Sequence, residues 1–133
     1  MYTLEDAHRV ATDEELVRSA LITDPHQPDN PIIYVSKEFE HHTGYSPAEA
    51  IGRNARFLQG PETDRETVRR IAEALEAVHP ITVDILNYHK DGSPFLHRLA
   101  IRPSFDKDGR LQNFIAVQYR LPDPSALDRD EGL

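Results

Sequence analysis

Pro80 separates two stretches of different hydrophobic period, and that change restricts the fold more than any other feature of the chain. Upstream, Val68, Ile71, Leu75 and Val78 recur at helical spacing. Downstream, residues 81–88, 95–103 and 111–121 alternate between apolar and polar, with Lys90-Asp91-Gly92 and Asp106-Lys107-Asp108-Gly109 as turns between them. Three such strands predict an antiparallel meander. Two shorter apolar runs, 20–23 and 32–35, flank the turn-rich segment 24–31 and predict a strand pair at one edge of the same sheet.

Between and before the strands the signals are helical. Thr12 and Glu15 have capping-box spacing and predict a helix over about 13–19, after a first helix over 4–10. Residues 37–43 form a short helix stopped by Gly44, and Ser46, Pro47 and Glu49 place a cap, a first-turn proline and a capping carboxylate in order. Thr63 and Glu66 form another box ahead of the long helix that ends at Pro80. The fold class is therefore α+β: a five-stranded antiparallel sheet with short helices covering one face and an N-terminal helical cap. The expected boundaries are a cap over 1–19, a domain over 20–121 and a tail over 122–133.

At 133 residues the chain fits one domain. A net charge of −8 argues against sequence-independent attraction to nucleic acid or to an anionic membrane. The absence of cysteine excludes disulfides, thiolate catalysis and Cys-based metal sites. No run reaches the eighteen apolar residues of a membrane span, and the start lacks the basic and apolar regions of a signal peptide, so a cytoplasmic protein is the expectation.

Strand parity collects residues from distant positions. Val83, Ile85 and Asn87 share one face, as do His97, Leu99 and Ile101, and Phe114, Ala116 and Gln118. If these faces point inward, Asn87, His97 and Gln118 are polar tips in an apolar interior. Each then needs a partner or costs about 1–3 kcal/mol.

The segment Gly52-Arg53-Asn54-Ala55-Arg56-Phe57-Leu58-Gln59-Gly60 resembles the signature of LOV domains, the blue-light-sensing branch of the PAS family, Gly-x-Asn-Cys-Arg-Phe-Leu-Gln. Asn54, Arg56, Phe57, Leu58 and Gln59 match; Ala55 stands where the motif has its cysteine. The resemblance extends over about 20–121, including Thr23 and the Asp29-Asn30-Pro31 stretch. It implies a PAS fold and a bound flavin, most simply the mononucleotide FMN, with riboflavin as the alternative. The chemistry suits the parts of that ligand. Arg56 offers a planar fork of donors matched to phosphate, and the amides of Asn54 and Gln59 both donate and accept, as ribityl hydroxyls require. Leu58 and Phe114 supply apolar surface, and Thr23, Asn30, Asn87 and Gln118 complete the implied site. In the family, residues at the Asn87 and Gln118 positions hydrogen-bond the flavin ring.

Four pocket positions depart from the pattern. Ala55 removes the thiol that adds to the excited flavin. Ala72 stands where many members carry a second phosphate-binding arginine, and Arg69, one turn earlier, is the expected substitute. His97 replaces an asparagine that pairs with the pyrimidine edge, either retaining that contact in altered form or serving as an ordinary packed histidine. Ala116 stands in place of a glycine close to the ring.

The implied function is a flavin-binding blue-light sensory domain that is fluorescent and at most photoreducible, with Tyr34, Tyr45 or Tyr88 as internal electron donors. The alternative is a flavin-free PAS module for dimerisation or interaction. No enzymatic motif is present. Among the seven histidines, His41 and His42 are adjacent and no pair has i, i+4 spacing, so no metal site is expected. The cap and tail are too short for an output domain. The expected partners are flavin and a second copy of the chain, met through the cap or the sheet, with no output partner identified. Leu4, Val10, Leu16 and Val17 of the cap pack either on the sheet or on that second protomer.

Overall fold

A computed structural model describes residues 1–121, and the tail 122–133 lies outside the described residues. Two short helices, α1 (Leu4–His8) and α2 (Asp13–Leu16), precede strands β1 (Ser19–Thr23) and β2 (Ile32–Val35). Helices α3 (Lys37–Thr43) and α4 (Pro47–Ala50), a 3₁₀ turn over Ala55–Leu58 and the long helix α5 (Arg65–Glu76) follow. Strands β3 (Ile81–Tyr88), β4 (Pro94–Phe105) and β5 (Leu111–Arg120) close the domain. All five strands form one antiparallel sheet in the order β2-β1-β5-β4-β3. The last strand thus inserts beside the first, and the early pair forms an edge as its position in the chain implied.

Alternation along the strands gives the sheet two apolar faces. On the inner face Leu21, Ile101, Phe114 and Ala116 pack with Phe39, Ala50 and Leu58 from the helical connection. On the outer face Ala20, Ile22, Ile115 and Val117 pack against Ala7, Ala11 and Leu16 of the cap. The cap therefore serves as the second cover of a sheet that is apolar on both sides. Leu16 and Val10 pack on the sheet, whereas Leu4 and Val17 are exposed. Arg102 clamps the cap by donating to both carboxylate oxygens of Glu15, at 2.8 and 2.7 Å, and to the carbonyl of Val10 at 3.0 Å.

Several boundaries differ from expectation for physical reasons. Helix α2 ends at Leu16, because Ser19 is already the first residue of β1, opposite Gln118. Thr63 does not cap α5. Its hydroxyl donates to the carbonyl of Leu86 at 2.7 Å and accepts from the amide of Gly60 at 3.0 Å. Asp64 takes the capping role instead, accepting from the amide of Glu66. Strand β4 runs past Pro103 to Phe105, since pairing with β3 stops at Ile101 and the proline's missing N–H faces an open edge.

Arg102 also predicts acid behaviour. Its hydrogen bonds hold the Glu15 carboxyl below its ordinary value of 4.5, aided by the Thr12 amide. A depressed carboxylate stabilises the fold above that ordinary value and loses its contribution as pH falls through the lower folded value. Arg102→Ala is expected to speed amide hydrogen exchange in α1 and α2, to cost about 1 kcal/mol, and to flatten stability against pH below about 4.5. Unchanged exchange in the cap would show that the clamp is not what holds it.

Candidate functional site

The inner face does not close completely. Between α5 and the sheet lies a cavity of about 220 Å³ whose wall is mostly apolar. Helix α5 contributes Val68, Ile71, Ala72 and Leu75 at helical spacing, and the sheet contributes Leu21, Ile85, Leu99 and Ile101. Polar groups enter from four directions: Thr23 from β1, Asn87 from β3, Gln118 from β5, and Asn30 from the loop after β1. Asn54, Ala55, Arg56, Leu58 and Gln59 of the 3₁₀ turn and its flanks form the remaining wall, with Phe114 and Ala116 of β5 across from them.

The 3₁₀ segment is folded by its own polar groups. Asn54 accepts from the amide of Arg56 at 3.0 Å, and its side-chain amide donates to the carbonyl of Asp29 at 2.7 Å. Asp29 and Asn30 both have left-handed backbone, φ 68° and 48°, a conformation that short polar side chains tolerate better than others. The guanidinium of Arg56 is ion-paired with the Asp29 carboxylate. That pair is exposed and sits at the rim, so the one arginine of the cavity wall already has an internal counter-charge.

Deeper inside, three polar atoms are buried without a partner among the described residues: Thr23 Oγ1, Asn30 Oδ1 and Asn87 Oδ1. All three belong to the cavity wall. Buried polar atoms left unpaired cost about 1–3 kcal/mol each, so three on one cavity leave hydrogen-bonding capacity for a guest molecule or water. Gln118 is different. Its Oε1 accepts a 2.5 Å hydrogen bond from the hydroxyl of Ser19, the first residue after the cap.

Two expected site residues lie elsewhere. Arg69 does not reach the cavity; it is exposed on α5 and its guanidinium is held by Glu66 and Glu73, its neighbours three and four positions away. Among the described residues, the cavity wall therefore carries no arginine other than Arg56. His97 shares the inner face but stands behind Asn87 rather than in the wall. Its Nε2 lies 2.9 Å from Asn87 Nδ2, and its Nδ1 lies 3.4 Å from Nε2 of His42. Although its register partner Ile85 lines the cavity, the His97 ring is walled in by Phe95 and His42 and engaged by Asn87.

Ser19 and His42 join the site without having been singled out from sequence, and Asp29, seen there only as part of a matching stretch, gains a role as the partner of Arg56. Ser19 has the parity of Leu21 and Thr23, a signal hidden by assigning it to the preceding helix. His42 falls on the buried stripe of α3 with Phe39 and Thr43, at i, i+3 and i+4. Of the three candidate electron donors, Tyr34 packs under the cap and Tyr45 packs edge-on to Phe57. Tyr88 lies beneath Gly60 and accepts from the amide of Glu62.

Burial pushes the His97 imidazole down from 6.5 to about 3, and His42 nearby adds to the effect; burial likewise lowers His42 to about 4. Histidines that fold neutral stabilise the protein above their unfolded value and oppose folding as pH drops below it. Stability is therefore expected to fall from pH 6.5 to about 4 through His42 and on to about 3 through His97. His97→Phe should reduce that slope, measured by denaturant unfolding across the range; an unaltered slope would assign the acid sensitivity to other groups.

A PAS domain family model matches residues 19–119. The chain is 44% identical over 112 residues to blue-light-activated histidine kinase 1 of Erythrobacter litoralis (strain HTCC2594), an alignment covering 84% of the chain and 31% of that protein. It is 47% identical over 107 residues to phototropin-1A of Oryza sativa subsp. japonica, covering 80% of the chain and 12% of that protein. The chain thus spans under a third of these relatives. Among solved structures it resembles the LOV domain of the Erythrobacter litoralis EL346 blue-light-activated histidine kinase, with a TM-score of 0.75 and 39% identity over 80% of this chain and 97% of that one. The motif around Ala55, the five-stranded sheet and these likenesses agree: the chain belongs to the PAS domain family, in its LOV branch.

Proposed function

We propose that this domain binds a flavin and acts as a blue-light sensory domain without thiol photochemistry. The observation that carries the reading is the set of three unpartnered acceptors, Thr23 Oγ1, Asn30 Oδ1 and Asn87 Oδ1, on one cavity. A flavin has a polar pyrimidine edge, a hydroxylated chain and an apolar benzenoid end, and the wall offers matching partners for each. Asn87 and Gln118 would meet the pyrimidine edge, Thr23 and Asn30 the hydroxylated chain with Asn54 and Gln59, and Leu58, Ile71, Leu75 and Phe114 the apolar rings.

When bound, a flavin supplies blue-light absorption and one-electron redox chemistry. The protein contributes a mostly apolar, partly open wall and a set of fixed hydrogen-bonding groups. Ala55 has no lone pair and the chain has no cysteine, so no side chain can form a sulfur bond to the ligand. Fluorescence or photoreduction is the expected outcome of illumination, and no substrate turnover is assigned to the domain. Gln118 connects the wall to Ser19, and Ser19 follows the cap directly. A change in the hydrogen bonding asked of Gln118 therefore reaches the cap within one residue contact. A second copy of the chain, docking in the cytoplasm through the cap or the sheet, is the proposed partner.

At the phosphate end the charge balance is weak, which makes riboflavin a competitive ligand beside FMN. Arg56 is neutralised by Asp29, Arg69 is held by glutamates, and Ala72 carries no charge. A second reading, a flavin-free interaction module, is favoured by cavity size alone: 220 Å³ is below the roughly 300–1,000 Å³ of ordinary ligand pockets.

Purified protein that is yellow, or becomes so on adding riboflavin or FMN, supports the first reading. Colourless protein that takes up neither supports the second. Asp29→Asn, which keeps a side chain suited to left-handed backbone, is expected to raise FMN affinity about two- to fivefold with riboflavin unchanged. Arg56→Ala should weaken FMN alone, by roughly tenfold or more. Equal effects on both ligands in a binding titration would remove Arg56 from the phosphate.

A further inference from the structure

Asn87 has two hydrogen-bonding ends, and the protein engages one of them. Its Nδ2 lies 2.9 Å from Nε2 of His97, while its Oδ1 is buried, unpartnered and on the cavity wall. His97 is 0% exposed and Asn87 only 5%. The other nitrogen of His97 makes a 3.4 Å contact with Nε2 of His42, which is 3% exposed. Phe95 touches both imidazoles, with ring centroids 5.1 Å from His42 and 5.0 Å from His97.

A neutral imidazole has one donor nitrogen and one acceptor nitrogen, and a side-chain amide has a donor end, the NH₂, and an acceptor end, the carbonyl oxygen. The chain Asn87–His97–His42 therefore runs in one of two senses. In the first, Asn87 donates to Nε2 of His97, which carries its proton on Nδ1 and donates to Nε2 of His42. In the second, His42 donates to His97, His97 donates to Asn87 Oδ1, and the NH₂ group turns to the cavity. An asparagine at position 97 could swap its ends by rotating about one bond. The His97 ring, packed against Phe95 and His42, cannot do so without moving both nitrogens out of contact, so the sense is set by where a proton sits.

We infer that His42 and His97 are positioning residues that hold the chain in the first sense, so that Asn87 presents its carbonyl to the cavity and accepts a hydrogen bond from a ligand N–H. On the flavin reading, on which this identification of the ligand atom rests, that donor is the imide N–H of the pyrimidine edge. His42 thus selects ligand polarity at a cavity it does not touch. The pair replaces a freely rotating amide by a group with one fixed direction.

Long-range proton–nitrogen correlation NMR on protein labelled with ¹⁵N-histidine tests this without any ligand. The expected result at neutral pH is two neutral rings, each with its proton on Nδ1. A His97 ring protonated on Nε2, or on both nitrogens, would overturn the inference. His42→Phe removes the acceptor for His97, and is expected to move the His97 proton to Nε2, shift the carbonyl stretch of added riboflavin, and weaken its binding about tenfold. If the folded variant keeps the native His97 tautomer and the native carbonyl stretch, His42 is a packing residue only and the inference fails. If His42→Phe does not fold, the tautomers of the native protein decide. If the native protein takes up neither riboflavin nor FMN, the proposed function fails while the tautomer result still decides the sense of the chain.

Discussion

The two-residue alternation of the strands governs the molecule. Each strand sends every second side chain to one face, and in β1 and β5 both sets are buried. A sheet apolar on both sides needs two covers, and the chain provides them from different places. The connection between β2 and β3 covers the inner face, and the cap covers the outer one. Because β5 lies between β1 and β4, the inner side chains of the first and last strands become neighbours. Thr23 stands opposite Phe114, and Ser19 opposite Gln118. The site is a consequence of that strand order.

Electrostatics then divides the cavity into two ends with different rules. At the rim, Arg56 and Asp29 are exposed, so their attraction is screened and readily exchanged for another partner. In the interior, Asn87, Thr23 and Gln118 are nearly inaccessible, and an unmet hydrogen bond there carries its full desolvation cost. On the proposed flavin reading, ring recognition is accordingly the more specific part of the interaction, and recognition of the charged end the more permissive part. The histidine pair behind Asn87 extends the interior network to α3 without adding charge, since burial keeps both rings neutral.

Much of this was legible in the residue order. Alternation after Pro80 placed all three long strands and put Asn87, Leu99 and Gln118 on one face, and the 52–60 motif located the opposite wall. At Thr63 and Ser19 a local rule competes with a contact distant in sequence; at Arg69 one local rule competes with another. Thr63 has capping-box spacing, yet its hydroxyl is taken by the carbonyl of Leu86 on β3. Arg69 is one turn from Ala72, yet two glutamates on its own helix are nearer. His97 has the correct parity, but its ring is taken up by Asn87 and by His42 of α3 instead of facing the cavity. The assignment of Ser19 to a helix concealed its bond to Gln118, which spans 99 positions. The choice left open for the cap, sheet or second protomer, is decided for Val10 and Leu16 by the outer face of β1 and β5.

The most direct measurement is a high-resolution crystal structure of the protein grown and purified with riboflavin and FMN supplied. The account predicts a flavin ring between α5 and the sheet, with Thr23 Oγ1, Asn30 Oδ1 and Asn87 Oδ1 each within hydrogen-bonding distance of it or of its hydroxylated chain. Ordered water on all three atoms, or a cavity closed by inward movement of Leu75 and Phe114, would contradict it.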